Sequence, residues 1–169
     1  MTDRLDEVDL EIVEILQRDA RTSVAALAEA VGLTPTPLRT RVERLEARGV
    51  IRGYHAEVDP AQVGRGVRAF VHVTLKDHAL EGHRRFVKAV RAMPEVVAAH
   101  HIAGEEDFLL EVLVESVGAF ESFLLARLST IPGIGRVKTT FVLSSPKARA
   151  PVPLPRAVAE VSAKKEKSR

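Results

Sequence analysis

Within three residues this sequence stops one helix and starts another. Gly32 can adopt the left-handed conformation that ends a helix, and Thr34-Pro35 is an N-cap followed by a proline at the first helical position. A chain forced to turn this sharply cannot run as one long helix, so the segments on either side must pack as short ones. Upstream, Ser23 reads as the N-cap of a helix to Val31 with Val24, Leu27, Ala28 and Val31 inward. Before it, residues 5–18 carry Leu5, Val8, Ile12, Ile15 and Leu16 at three- and four-residue steps, with acids in the early turns where the helix dipole favours them. Downstream, a third helix reaches about Arg48 and closes at Gly49, with Leu38, Val42 and Leu45 as its buried stripe. Three helices with a three-residue turn between the second and third form the helix-turn-helix pattern, whose second member enters the DNA major groove.

Charge is segregated along the same lines. Residues 1–33 hold eight acidic and three basic side chains, whereas residues 34–52 hold five arginines against two glutamates. Residues 53–144 are nearly balanced, with ten basic and eleven acidic groups, and residues 145–169 carry seven basic and two acidic ones. Only the third helix therefore offers an attractive face to a phosphate backbone. With the buried stripe removed, Thr36, Arg39, Thr40 and Arg44 are expected outward and Arg41 and Arg48 on the flanks. Arginine forks onto guanine or phosphate, and the hydroxyls at the helix starts, Ser23, Thr34 and Thr36, suit phosphate or base edges. After Gly49, residues 50–54 turn extended, the expected place for a wing or a linker strand.

Leu5-Asp6-x-x-Asp9-x-x-Ile12, Asp19-x-Arg21-x-Ser23, Leu27-Ala28, Val31-Gly32-Leu33, Thr34-Pro35-Thr36-Pro37 and Arg41-Val42-x-x-Leu45-Glu46-x-x-Gly49-x-Ile51 together resemble the Lrp/AsnC (leucine- and asparagine-responsive, feast/famine) transcriptional regulators. The resemblance extends more thinly to about Lys147. Leu38 stands where that family often has Cys or Val, and Thr40 where a charged residue is common.

The second half reads as a different architecture. Residues 54–66, with Pro60, Gly64 and Gly66, break the helical period and form a linker between a DNA-binding domain at 1–53 and a second domain at 67–147. There, residues 67–76 alternate as a strand and 80–93 follow a helical period ending at Pro94. Residues 96–103 and 108–114 are β-rich runs flanking a Gly-Glu-Glu-Asp turn, 118–131 is helical, and 137–143 is a last strand. The class is α+β: a winged helix-turn-helix followed by a ferredoxin-like βαββαβ domain of the RAM type. One sheet face takes the helices. The other keeps Phe70, Leu109, Leu113 and Val142, too apolar for water, so a second copy is expected to cover it. The resemblance implies the same, with face-to-face dimers that build octamers.

The turn at 104–107 is the candidate small-molecule site. A glycine exposes backbone N–H groups and a carboxylate binds an ammonium, which together suit a free amino acid. The resemblance implies an effector site between dimers here, with Gly104 and Asp107 matching its Gly-x-x-Asp loop and Thr140 a hydroxyl position on the last strand. Glu106 stands where an aromatic or aliphatic residue is frequent, and Lys138 where a second hydroxyl is.

Other chemistries find no support. Cysteine is absent, which removes disulfides and thiolate ligands. Among six histidines, His100 and His101 are adjacent in a strand and point to opposite faces, and His78 and His83 flank a helix start without a third ligand. No metal, cofactor or catalytic residues are expected, nor any membrane segment, and a cytoplasmic location is the expectation, since residues 1–11 are too acidic and polar for a secretory signal. From residue 148 onward, prolines and a terminal Lys164-Lys165-x-Lys167-x-Arg169 predict a disordered basic tail. The expected partners are double-stranded operator DNA, an amino-acid effector and further copies of the chain. The alternative is an amino-acid sensor acting on an enzyme, for which an arginine-rich third helix has no use.

Overall fold

The computed structural model describes residues 5–76, 80–147 and 150–155, which form two compact units: one from the described residues up to Ala56 with those after Pro146, the other from Glu57–Pro146.

The first unit contains α1 (Glu7–Arg18), α2 (Val24–Ala30) and α3 (Pro35–Ala47). Asp6 caps α1 by accepting the Asp9 N–H at 2.8 Å, and Ser23 caps α2 by accepting that of Ala26 at 3.2 Å. Gly32 (φ 66°) and Gly49 (φ 70°) take the left-handed turns that end α2 and α3, a conformation strained for any side chain with a Cβ. Ile12, Val13, Leu27, Ala28, Leu38 and Leu45 are buried at the centre. Val24, expected inward, is 39% exposed, because it stands on the first turn of a helix only seven residues long. The expected wing is also different. Residues 50–54 join no strand ladder; the Val50 and Ile51 amides return to the Leu45 carbonyl at 2.9 and 3.2 Å, and Ile51 packs on the core.

The second unit runs β1 (Val67–Leu75), α4 (Leu80–Arg91), β2 (Val96–His101), β3 (Phe108–Val114), α5 (Val117–Phe123) with a wider π turn (Leu124–Leu128), and β4 (Ile134–Phe141). The sheet is antiparallel in the order β2-β3-β1-β4, the ferredoxin-like arrangement. Ala69, Val71 and Val73 of β1 and Leu110 and Val112 of β3 are fully buried beneath the helices, among Phe86, Val90, Phe120 and Leu128. The last strand begins three residues before the expected Val137. Gly135 is the residue passed over at the register shift between Thr74 and Leu75, where an added Cβ would come within 3.1 Å of the Thr74 carbonyl. The opposite face is less apolar than expected: Phe70, Leu109 and Leu113 are interleaved with Arg68, His72, Glu111 and Lys138. His100 lies opposite Leu109 on that face, whereas His101 lies opposite Phe108 on the helix side, its ring 4.7 Å from that of His83.

The tail expectation is corrected for residues 150–155. They belong to the first unit, where the Gln17 side chain donates to the Val152 carbonyl at 3.2 Å and accepts the Val152 N–H at 2.7 Å. Leu154 is partly buried against the helical core. The basic cluster from Lys164 onward, and His78, lie outside the described residues.

Candidate nucleic-acid interface and effector loop

The exposed side of α3 is set by its own periodicity. Leu38 and Leu45 turn inward, which leaves Thr36, Arg39 and Thr40 in solvent together with Thr34 at the helix start. Thr34 makes no side-chain cap bond, whereas the Ser23 hydroxyl is occupied in capping α2. Thr40 donates to the Thr36 carbonyl one turn back at 3.4 Å. Glu46, lower on α3, accepts the Tyr54 hydroxyl at 2.8 Å; partial burial, reinforced by that carboxylate, pushes the phenol up to about 12. A cavity of about 260 Å³ between α1, α2 and α3 is lined by Leu16, Leu27, Val42 and Tyr54, with Arg39 also on its wall.

Arg44, expected outward, is exposed, and Arg41, expected on the flank, is half-buried. Both reach back to α1, where the carboxylate of Asp9 is 1% exposed. Arg41 donates to Asp9 at 2.8 Å and to Asp6 at 2.6 Å, and Arg44 donates to the two Asp9 oxygens at 3.0 and 2.8 Å. The Arg41 guanidinium, helped by the Asp9 amide, holds the Asp6 carboxyl below its usual range. A buried carboxylate needs such partners, since an uncompensated charge in the interior is far costlier than a paired one. Asp9 stands in the family motif with no role assigned to it from sequence. The signal was present: Leu5, Asp9, Ile12 and Leu16 share one helix face, so an acid interrupts an inward stripe and demands a cation from the helix packed against it.

In the second unit the turn residues separate into two roles. Asp107 closes the loop: its N–H donates to the Val73 carbonyl at 3.0 Å, its carbonyl accepts from Ile102 at 2.9 Å, and its carboxylate accepts the Leu75 N–H at 2.7 Å. Its carboxylate, expected to accept an ammonium, is thus already engaged in part by β1. Glu106 instead turns its largely buried carboxylate to the face away from the helices. There Lys138 Nζ stands at 3.4 Å, Arg136 at 3.8 Å and His72 Nδ1 at 4.0 Å. His72 and Arg136 were not picked out from sequence, because only the β1–β4 register (His72 with Lys138, Thr74 with Arg136) aligns them with the turn. His72 Nδ1 and Thr74 Oγ1 are buried without a hydrogen-bond partner among the described residues. Thr140 is exposed, paired with Phe70 one step along the same face, and Gly104 opens the turn. This patch combines a carboxylate, two cations and two unsatisfied polar atoms, a donor and acceptor set that complements a zwitterion.

Comparison with known proteins agrees with both halves. Residues 5–46 match the AsnC-type helix-turn-helix domain and residues 68–152 the Lrp/AsnC ligand binding domain. The DNA-binding transcriptional activator DecR of Escherichia coli K12 is 37% identical over 150 residues, covering 89% of this chain and 99% of that protein. The crystal structure of the transcriptional regulator NMB0573 of Neisseria meningitidis in complex with L-Met superposes with a TM-score of 0.83 at 33% identity, covering 89% of this chain and 97% of that one. E. coli AsnC superposes at 0.79 with 28% identity, over 87% and 97% of the two chains. With a helix-turn-helix unit followed by a ligand-binding sheet along nearly its whole length, the chain belongs to the Lrp/AsnC family of DNA-binding transcriptional regulators.

Proposed function

We propose that this regulator reads a two-fold operator with the exposed start of α3 and responds to an amino acid held at the Glu106 patch. Thr34, Thr36, Arg39 and Thr40 face the groove, and Ser23 adds a phosphate contact at the start of α2. Arg41 and Arg44 set the angle of α3 against α1, and Arg44, 44% exposed, touches phosphate from the edge. Copies pair through the sheet face that carries Phe70, Leu109 and Leu113, which supplies the two half-site readers. The effector's ammonium goes to Glu106 and its carboxylate to Lys138 and Arg136, with Thr140 beside them. The observation that carries the effector reading is the pair of unsatisfied atoms, His72 Nδ1 and Thr74 Oγ1, next to a carboxylate already flanked by cations. The bound L-Met of the NMB0573 structure supports the same ligand class. Recovery of bound genomic DNA with and without each common amino acid tests the whole reading. Recovery of no enriched sequence, or enrichment indifferent to every amino acid, refutes the corresponding half.

A further inference from the structure

In residues 150–155 every position is either a proline (151, 153, 155) or the residue before one (150, 152, 154). Proline fixes its own φ and pushes its predecessor out of the helical region, so the segment is extended before it touches anything. An extended polyproline-like strand makes no internal hydrogen bonds and leaves its backbone groups for a partner. Val152 is the residue that uses this. The residue is 68% exposed, while its N–H and C=O are both taken by the one side-chain amide of Gln17, at 2.7 and 3.2 Å. A glutamine amide presents donor and acceptor side by side, as a neighbouring strand would, and so reads a single extended residue without regard to its side chain. Two positions on, Leu154 sits against the helical core. Backbone pairing plus an apolar anchor on a pre-extended peptide is a recurring way of binding proline-rich segments, with little conformational entropy left to lose.

We propose that the end of α1 is a docking site for a proline-alternating peptide, and that its resident is this chain's own segment 150–155, which acts as a latch within the helix-turn-helix unit. This rests on the Gln17 and Leu154 contacts and is independent of where DNA or effector binds.

The test is amide exchange on the full-length protein, followed by NMR. The Val152 amide is expected to exchange at least about tenfold more slowly than in a free peptide of residues 147–156, in line with a locally closed structure. Gln17→Ala is expected to return it to the peptide rate while the α3 amides stay protected. Because alanine is the better helix former, a fall in the melting midpoint of the first unit in Gln17→Ala reports the lost latch and not a weakened α1. Leu154→Ser should reproduce both effects. Exchange of Val152 within twofold of the free peptide in the unmutated protein overturns the proposal. Isotope-filtered contacts between Gln17 of a labelled copy and Val152 of an unlabelled one would overturn the same-chain assignment.

Discussion

Removing both arginines from Asp9 is the perturbation most directly set by the geometry. The Asp9 carboxylate is 1% exposed and accepts three guanidinium hydrogen bonds of 2.8–3.0 Å. Arg41→Ala or Arg44→Ala alone leaves it paired with the remaining arginine, and a charge-assisted bond at such a site is worth about 1.5 kcal/mol. The Arg41–Asp6 bond adds little, since Asp6 is 49% exposed and solvent screens it. The double variant strands a buried charge, which costs about 3–5 kcal/mol. A unit of this size has a stability on the order of 3–9 kcal/mol, so the double variant should lie at the edge of unfolding. Placing the double variant in an Asp9→Asn background removes the stranded charge and should recover at least about 1 kcal/mol. Urea unfolding at pH 7 measures this cleanly, because the chain has one tyrosine, Tyr54, and no tryptophan, so its fluorescence reports the first unit alone. If the double variant unfolds within about 0.5 kcal/mol of the unmutated protein, or Asp9→Asn brings no recovery, Asp9 is solvated and the argument fails.

Arg39→Ala, at an exposed position of α3, should weaken operator binding and reduce the slope of log affinity against log salt by about 0.9; an unchanged salt slope would remove Arg39 from the interface. Asp6 has its carboxyl held below the usual range, so it binds fewer protons folded than unfolded near pH 4. Its contribution is full above the ordinary carboxylate pKa and is lost as pH falls through the lowered one; Asp6→Asn should flatten this acid limb, and an identical limb in both proteins would contradict the pairing. Tyr54 is shifted the other way. Tyrosinate absorbance should titrate near 12, and the contribution of the buried phenol and its Glu46 bond, present below the ordinary phenol pKa of about 10, should fade between those values; a midpoint near 10 would mean that Tyr54 is neither buried nor paired with Glu46 in solution. On the sheet, Leu109→Asp should turn dimers into monomers by light scattering, whereas dimers of undiminished affinity would place the interface elsewhere.

The helices and most strands were legible because their signals are local. Ser23, Gly32, Thr34-Pro35 and Gly49 announce helix ends within a few residues, and β1 alternates cleanly from Val67 to Leu75. What escaped depends on partners far away in sequence. Gly135 looks like turn residue until Thr74 is laid beside it, and Glu106 becomes part of a charged patch only through the β1–β4 register. Arg44 has the spacing of the outward face and Arg41 that of its flank. Their direction is decided by a carboxylate more than thirty positions upstream.

The pairing of Gln17 with Val152 spans 135 positions, nearly the whole chain. At a synthesis rate of roughly 5–20 residues per second, Val152 follows Gln17 off the ribosome by about 7–27 s. During that interval the three helices have every local signal they need and still lack Leu154 over their core. The part of the protein made first is therefore the part completed last, so a stall or premature stop after β4 would release a finished sheet attached to an uncovered DNA-reading head.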